Sequence, residues 1–307
     1  MISKLKQKLF KFHTLRRAIQ FLSFIIFSAM IFNLSSQALL LPVVWTWSFN
    51  QNIVGDAFTA IQLMLYDVVF PWLALASFLI TGILVGKSLC GWVCPFGFIQ
   101  DLISPIKRKK TEISLQTHES MVYLKYFVLG LTIFISATFS TAKFFGVHQS
   151  YESAFGIFVK APFTAVSPAE TLFATLPNGI LGFRLALMEK SFYEVLSGIT
   201  ALPLLFWVQL SILIVVLIFA AFVPRSWCKY LCPHGAVMAL LNKFSFLGLK
   251  RDLTRCAKGE CRKCVEVCPM RVRILDLPWE KFNDPECIYC LQCVDACPYG
   301  AIKLKYP

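Results

Sequence analysis

The chain has 307 residues, of which 57% are hydrophobic and only 15% are charged. Its mean hydropathy is +0.65. Soluble globular domains are about 45–50% apolar and about 25% charged, so this composition excludes an ordinary soluble domain and indicates a membrane protein. The net charge of +13 would suit a nucleic-acid partner, but the distribution of the basic residues explains it through membrane topology instead.

The chain begins with a basic segment, residues 1–17, which contains six Lys and Arg residues and no acidic residue. The uncharged apolar stretch that follows, from residue 18 to about residue 44, predicts a first transmembrane helix. We expect no cleaved signal peptide, because the apolar stretch has no clear small-residue cleavage site.

Three further apolar segments approach or exceed the length of about 20 residues that spans a membrane. Residues 68–86 and 201–223 contain no charged residue, and residues 123–142 have only Lys125 near their start. In chain order, the three segments predict the second, third and fourth transmembrane helices.

The Lys and Arg residues are concentrated at the N-terminus, in the loop 87–125 and after residue 224. The other two connections, a short one at 45–67 and a long one at 143–200, hold only four such residues between them. The positive-inside rule then places both termini and the loop 87–125 in the cytoplasm. Four spans with both ends inside are consistent with this count.

Two cysteine pairs with the same C-x3-C-P spacing follow the second and fourth predicted spans. We call them the first membrane-edge motif, with Cys90 and Cys94, and the second membrane-edge motif, with Cys228 and Cys232. Residues four apart on a helix share one face, so each pair is expected to present two thiols together. The repetition predicts a pseudo-twofold arrangement in which the two pairs face each other.

Several roles suit these four cysteines. Four thiolates could hold an iron–sulfur cluster or a single tetrahedral metal. Buried cysteines can also pack simply as small apolar residues, and a redox-active dithiol is a further alternative. The matched pairs favour ligation of a metal or cluster.

Eight more cysteines lie in two runs near the C-terminus. The second run reads C-x2-C-x2-C-x3-C-P, which is the spacing of bacterial ferredoxins. The first run ends in the same way, but four residues separate its first two cysteines. The cysteines of the two runs are Cys256, Cys261, Cys264 and Cys268, then Cys287, Cys290, Cys293 and Cys297.

This spacing predicts two [4Fe–4S] clusters, because the fourth cysteine of each run ligates the other cluster in two-cluster ferredoxins. One cluster is expected to take Cys268, Cys287, Cys290 and Cys293. The other is expected to take Cys256, Cys261, Cys264 and Cys297. Structural zinc and disulfides are the alternatives, but neither calls for the triple spacing followed by Cys-Pro. Thiols that bind iron must stay reduced, which favours the cytosol.

The histidines give no basis for a haem. None of the four, His13, His118, His148 and His234, lies inside a predicted span, so we expect no haem. His234 directly follows the second membrane-edge motif and could donate a hydrogen bond to a sulfur there. Asp67, at the outer edge of the second span, is a weak candidate for taking a proton from quinol.

The four spans, the two C-x3-C-P motifs and the double ferredoxin motif together resemble the NapH-type membrane-bound polyferredoxins, which are related to the C-terminal part of NosR regulators. The resemblance covers the chain from about residue 18. It implies an electron-transfer subunit that links quinol to a partner redox protein, such as a periplasmic nitrate reductase or a similar respiratory system. The four-residue gap after Cys256 departs from the plain ferredoxin spacing.

The predicted architecture is an α-helical integral membrane protein with four transmembrane helices and a C-terminal two-cluster ferredoxin domain of small α+β fold. The predicted domains are a basic N-terminus (1–17), a membrane domain (18–235) and a ferredoxin domain (236–307). We expect an electron-transfer subunit of quinol dehydrogenase type, with membrane, quinol and redox-protein partners. The alternative is an assembly factor whose membrane-edge thiols handle or reduce copper for another enzyme.

Overall fold

The computed structural model describes residues 12–27, 56–106, 113–176, 204–257 and 260–306. These residues are mostly helical, with one small sheet near the C-terminal end. The first three helices in this part of the chain are α1 (Phe12–Phe27), α2 (Ala57–Tyr66) and α3 (Trp72–Val85).

Helix α2 begins at Asp56, whose carboxylate accepts a hydrogen bond of 2.7 Å from the backbone N–H of Thr59. This is an N-cap, which satisfies one of the free donors at the start of a helix. The sequence prediction treated this region as part of a connection, so the helix is a feature that it missed. Helix α3 ends at Gly86, whose φ of +57° is a conformation that favours glycine.

Each membrane-edge motif folds into two short helices. The first motif contributes α4 (Ser88–Trp92) and α5 (Pro95–Ile103), and a 3₁₀ turn at Ser104–Ile106 follows. The second motif contributes α11 (Ser226–Tyr230) and α12 (Pro233–Asn242).

Among the described residues, two helices are long and apolar enough to cross a membrane, namely α6 (Leu115–Phe144) and α10 (Leu204–Phe222). Both carry large apolar side chains in exposed positions, such as Phe134 at 67% and Val215 at 64%. Continuous exposed apolar surface of this kind marks a membrane or protein interface. The two helices coincide with the third and fourth predicted spans, and their length and composition suit a membrane protein.

The count of four spans stays a prediction. Helix α3 has 14 residues, which is shorter than the predicted span 68–86. Only the part of the first predicted span up to residue 27 lies within the described residues. The second half of the connection 143–200 also falls largely outside them, while its first half forms short helical segments: α7 (His148–Phe155), α8 (Ile157–Lys160), a 3₁₀ turn (Thr164–Val166), α9 (Pro168–Glu170) and a π turn (Thr171–Thr175).

The C-terminal part is a small α+β unit. Its elements are β1 (Gly248–Arg251), α13 (Lys263–Glu266), α14 (Gln292–Ala296) and β2 (Ile302–Lys305). The strands pair antiparallel, with Leu249 opposite Leu304. The short helices α13 and α14, which hold the third cysteine of each run, pack against each other. The predicted domain boundary after residue 235 falls inside α12, and the division into domains stays a prediction.

Candidate iron–sulfur centres

The two membrane-edge motifs have the same local structure. In each, the first cysteine lies within a short helix and the second is the residue that precedes the next helix. The second cysteines have nearly equal backbone angles, φ −58° and ψ 117° at Cys94 and φ −74° and ψ 115° at Cys232. Proline in the next position disfavours helical angles in the residue before it. The expectation that each pair shares one helical face is therefore wrong, because the proline divides each motif between two helices.

A glycine extends each motif to C-x3-C-P-x-G. A Cβ atom added at Gly97 would lie 3.1 Å from the carbonyl oxygen of Cys90, and one at Gly235 would lie 3.0 Å from that of Cys228. The glycines thus let the first turn of α5 and of α12 pack closely on the preceding short helix. Sequence reasoning missed this role, although the two glycines occupy the same position in both copies.

The four membrane-edge cysteines are buried, and they lie near one another. Burial and then the neighbouring Cys228 and Cys90 thiols raise the pKa of Cys94 to about 12. Burial likewise raises the pKa of Cys232 well above its usual value, followed by the effects of Cys228, Cys90 and Cys94. The two motifs therefore bring all four thiols into one electrostatic neighbourhood, as the pseudo-twofold arrangement predicts.

Two of these sulfurs accept hydrogen bonds from the protein. The side-chain amide of Gln100 donates to Cys228 Sγ at 3.1 Å, and its oxygen accepts from the backbone N–H of Trp227 at 3.2 Å. The backbone N–H of Gly235 donates to Cys232 Sγ at 3.5 Å. Donors of this kind favour the thiolate form, which is the form that binds iron.

A buried ionic network joins the first membrane-edge motif to the second. Arg225, just before the second motif, donates to Asp101 at 2.9 and 2.6 Å and to the carbonyl oxygen of Cys90 at 2.7 Å. Arg16 of α1 also reaches Asp101, at 2.6 Å. Both arginines are 0% exposed. Asp101 thus neutralises part of the positive charge of the two arginines, and Arg225 directly contacts the backbone of Cys90.

A second buried network joins the membrane-edge region to the ferredoxin domain. Lys87 occupies the same position in the first motif that Arg225 occupies in the second, three residues before the first cysteine. Its Nζ lies 2.9 Å from Glu286, and Lys125 of α6 pairs with the same carboxylate. Glu286 immediately precedes Cys287. Burial alone would lower the pKa of Lys87, but Glu286 outweighs it and raises that pKa.

Within the part of the chain that the structure describes, the buried basic side chains around the cysteines outnumber the acids that form ion pairs with them. Five of them are at most 1% exposed, and the acids that pair with them are Asp101 and Glu286. The five are Arg16, Lys87, Lys125, Arg225 and Lys229. Buried charges need compensation. A cluster held by four thiolates is anionic and would supply it.

One group of ferredoxin cysteines lines a shared cavity. Cys268, Cys287, Cys290 and Cys293 surround a small cavity of about 20 Å³ whose other walls are almost entirely apolar. Burial raises the pKa of Cys268 to about 12, so a bound metal would have to stabilise its thiolate. These are the four residues that the ferredoxin spacing assigns to one cluster, and the assignment itself stays a proposal.

The remaining ferredoxin cysteines are less enclosed. Burial raises the pKa of Cys264, and the nearby thiols of Cys256 and Cys261 raise it further, so these three lie close together. Cys297 accepts a hydrogen bond of 3.3 Å from the backbone N–H four residues later, as Cys268 does at 3.4 Å. The ends of the two cysteine runs thus have equivalent geometry.

The first membrane-edge motif lies directly against the cavity that Cys287 and Cys290 line. The indole N–H of Trp92 donates to the carbonyl oxygen of Tyr289 at 2.8 Å. A Cβ atom added at Gly91 would lie only 2.3 Å from the carbonyl oxygen of Ile288. The two contacted residues are those between Cys287 and Cys290, so two groups of candidate ligands are neighbours across this contact.

Replacing Gly91 with alanine should separate this contact, because the new methyl group meets a backbone oxygen that cannot rotate away. We expect a loss of about 1–3 kcal/mol of stability, which is the usual cost of overpacking. The melting temperature of the purified protein in detergent measures it. Gly130→Ala is the matched control, since a Cβ there meets nothing within 4 Å and alanine favours a helix. Equal melting temperatures for the two variants would contradict the assigned contact.

A small cavity of about 10 Å³ with several polar wall residues lies beside Cys232. Its walls include Asp56, Glu170 and His234, all buried. His234 Nε2 lies 2.9 Å from an Asp56 carboxylate oxygen, so the structure pairs His234 with an acid, whereas the sequence suggested a sulfur. Asp56 was missed because it lies in a stretch read as a connection, although its position three residues before Thr59 is a capping signal.

The other polar candidates lie elsewhere. Asp67 is exposed and pairs with Lys143 at 3.1 Å, which is ordinary surface placement. His118 lies in the first turn of α6, which starts eight residues before the predicted span, and its Nδ1 is 2.8 Å from the Tyr230 hydroxyl. Within the described residues, no three Cys, His, Asp or Glu side chains are close enough to hold one metal ion between them.

The residues present fit iron–sulfur clusters by their chemistry: buried thiols, N–H groups directed at sulfur and an excess of buried positive charge. The family described as a 4Fe-4S binding domain matches residues 67–113 and 205–253, which contain the two membrane-edge motifs. The family described as a 4Fe-4S dicluster domain matches residues 255–302. The two family models together contain all twelve cysteines, which indicates an iron–sulfur protein.

Several curated proteins are similar to this chain. An uncharacterized protein of Methanocaldococcus jannaschii is 26% identical over 73% of this chain and 74% of its own length. The putative electron transport protein YccM of Escherichia coli is 24% identical over 75% and 54%. The ferredoxin-type protein NapH of Haemophilus influenzae is 26% identical over 73% and 63%. No solved structure matches the chain.

Proteins named NosR, NirI and MauN also match. These relatives and the two family models fit the NapH/NosR-related polyferredoxin family. The resemblance seen in the sequence is thereby confirmed.

Proposed function

We propose that the protein is a membrane subunit that takes electrons from quinol and passes them through iron–sulfur clusters to a partner redox protein of a respiratory system. The observation that carries the proposal is the contact of the first membrane-edge motif with the loop between Cys287 and Cys290. It joins the membrane-edge cysteines and the ferredoxin cysteines into one continuous unit. Both termini and the ferredoxin domain face the cytoplasm in this proposal.

Each group of cysteines has its own role. One [4Fe–4S] cluster is held by Cys268, Cys287, Cys290 and Cys293. A second is held by Cys256, Cys261, Cys264 and Cys297. A third centre is held by Cys90, Cys94, Cys228 and Cys232. When bound, the clusters carry single electrons, and burial and hydrogen bonds to sulfur tune their potentials.

The chain's own residues provide for the protons. Quinol releases two protons along with its two electrons, and buried acceptors near the membrane-edge centre are needed for them. The cavity beside Cys232 holds the carboxylates of Asp56 and Glu170. His234 Nε2 lies 2.9 Å from Asp56 in the wall of the same cavity, so these three side chains are the candidate proton acceptors.

The proposal is tested by measuring iron and acid-labile sulfide in anaerobically purified protein. Two cubane clusters contain about eight iron atoms, and a third cluster raises the total to about twelve. We expect about twelve in the native protein and about eight after all four membrane-edge cysteines are changed to serine. EPR spectra should show reduction of the native clusters by a quinol analogue. Ser226→Ala is the matched control, because this buried hydroxyl lies beside the second motif without a hydrogen-bond partner, and it should keep about twelve.

Two results would overturn parts of the proposal. If native protein and the four-cysteine variant both contain about eight iron atoms, the membrane-edge cysteines hold no cluster. A copper titration to which only the native protein responds would then support the assembly-factor hypothesis, since thiolates suit Cu(I). If the quinol analogue leaves every cluster oxidised, quinol is not the electron donor.

A further inference from the structure

Three lysines lie on the outer face of the ferredoxin sheet. Lys250 stands directly opposite Lys303, and Lys305 stands opposite Gly248 in the same register. Residues directly opposite each other in an antiparallel pair project on one face with Cβ atoms about 4.5–5.5 Å apart, and alternate residues of a strand share a face. The three lysines therefore point the same way, and all three are exposed.

This arrangement costs stability by itself, because like charges directly opposite in a sheet are destabilising. Among the described ion pairs, none involves Lys250, Lys303 or Lys305. Two acids border the same surface, Asp252, which lies 3.5 Å from Arg255, and Glu280. An anionic partner from outside the chain would offset the repulsion between these three lysines.

The lysines border an open groove of about 600 Å³. Its walls also contain Trp279, which is 50% exposed, and both acids named above. An exposed tryptophan is a frequent anchor of protein interfaces. A concave groove with an aromatic wall fits a protruding protein surface better than the flat surface of a membrane.

The groove also lies next to a candidate cluster ligand. Ala301 forms part of its wall, and the backbone N–H of Ala301 donates to Cys297 Sγ at 3.3 Å. Three of the four cysteines assigned with Cys297 are partly exposed and Cys264 is buried, whereas two of the other four, Cys290 and Cys293, are buried. The loop between Cys287 and Cys290 contacts the membrane-edge motif. The cluster of Cys297 is thus the more accessible one, and the groove gives access to it.

We propose that Lys250, Lys303, Lys305 and Trp279 form the docking surface for an acidic soluble redox protein that exchanges electrons with the cluster of Cys297. This inference rests on the proposed function and adds the site and charge class of the partner. One electron passes between the cluster and the redox group of the partner, so that one is oxidised as the other is reduced, and no bond forms or breaks.

The test uses the full-length, cluster-loaded protein in detergent and a purified acidic flavodoxin as the probe. Stopped-flow absorbance follows electron transfer between reduced clusters and the flavodoxin. The test variant combines Lys250→Gln with Lys303→Gln, which removes the like-charge pair and should leave the fold at least as stable. The control combines Lys160→Gln with Lys243→Gln, which are exposed and change the net charge equally.

We expect the second-order rate constant to fall about tenfold or more in the test variant at low salt, since electrostatic steering raises association rates by about 10–10³. The control variant should stay within about twofold of wild type, and added salt should bring the wild-type and test-variant rates together. Iron content and reduction by the quinol analogue should be unchanged in both variants.

Equal rates in the test and control variants would overturn the proposal. So would loss of binding to phosphatidylglycerol vesicles in the test variant with no change in the flavodoxin rate, since this would assign the face to lipid. A failure of quinol reduction in wild type, with the flavodoxin effect intact, would reject the quinol link and leave the docking surface standing.

Discussion

Replacing Asp101 with asparagine should cost about 3–5 kcal/mol of folding free energy, because it removes one charge from a buried ionic group and leaves the others. Arg16 and Arg225 would then stand fully buried beside a neutral amide, with Arg225 still held against the carbonyl oxygen of Cys90. The melting temperature and the yield of protein with its full iron content would both fall.

The matched control for this variant is Asp67→Asn. Asp67 also pairs with a basic residue, Lys143, but its side chain is 62% exposed. Exposed ion pairs contribute about 0–1 kcal/mol, so the same substitution should leave the melting temperature nearly unchanged. If the two variants melted alike, the buried network would have no special role in stability.

The same network predicts a dependence on pH. Burial alone would raise the pKa of Asp101, but Arg225 and then Arg16 outweigh it and hold that pKa well below the usual range. The unfolded value is about 3.9. The stabilisation is therefore fully present above about pH 5 and is lost as the pH falls toward the depressed folded value. Below about pH 4 the gap in stability between wild type and Asp101→Asn should narrow.

Replacing Glu286 with glutamine should have an effect of similar size, about 3–5 kcal/mol, because two buried lysines share this carboxylate. Lys87 and Lys125 come from the membrane-edge region and from α6, so the substitution also weakens the attachment of the ferredoxin domain. We expect faster cleavage by trypsin between the membrane helices and the ferredoxin domain, followed on gels, together with a lower melting temperature.

Glu119→Gln provides the control for Glu286→Gln. Glu119 also joins α6 to the ferredoxin domain, through Arg273 at 3.0 Å, but both side chains are more than half exposed. Its replacement should leave the rate of cleavage and the melting temperature close to those of wild type. A larger effect for Glu119 than for Glu286 would show that the buried lysines are stabilised by something other than Glu286.

Local spacing carried most of what the sequence could predict. The cysteine runs and the two C-x3-C-P motifs are read directly, because cluster ligands must follow each other closely in the chain. The long uncharged stretches of α6 and α10 can likewise be recognised in the sequence as predicted membrane spans. Proximity of the two membrane-edge motifs followed from their repetition rather than from any contact visible in the sequence.

The rest depends on contacts between distant residues. Helix α2 was missed because it is short and interrupted by Thr59 and Gln62, which are buried through hydrogen bonds to Thr164. The partners of Lys87 and Arg225 lie 199 and 124 residues away, and no local pattern marks such pairs. Asp101 is 85 residues from Arg16 and 124 from Arg225, so nothing in the local sequence indicates its burial between these two arginines.

The buried contacts of Glu286 also have a consequence for the order in which the protein matures. Synthesis runs from the N-terminus, so Lys87 and Lys125 enter the membrane region long before Glu286 exists. Until then, closing the structure around the two lysines would bury their charges without a counter-ion, at a cost of several kcal/mol per ion. The membrane half therefore stays hydrated at this point until the ferredoxin segment docks. Docking of the ferredoxin segment and burial of Lys87 and Lys125 therefore become a single late step in the assembly of the protein.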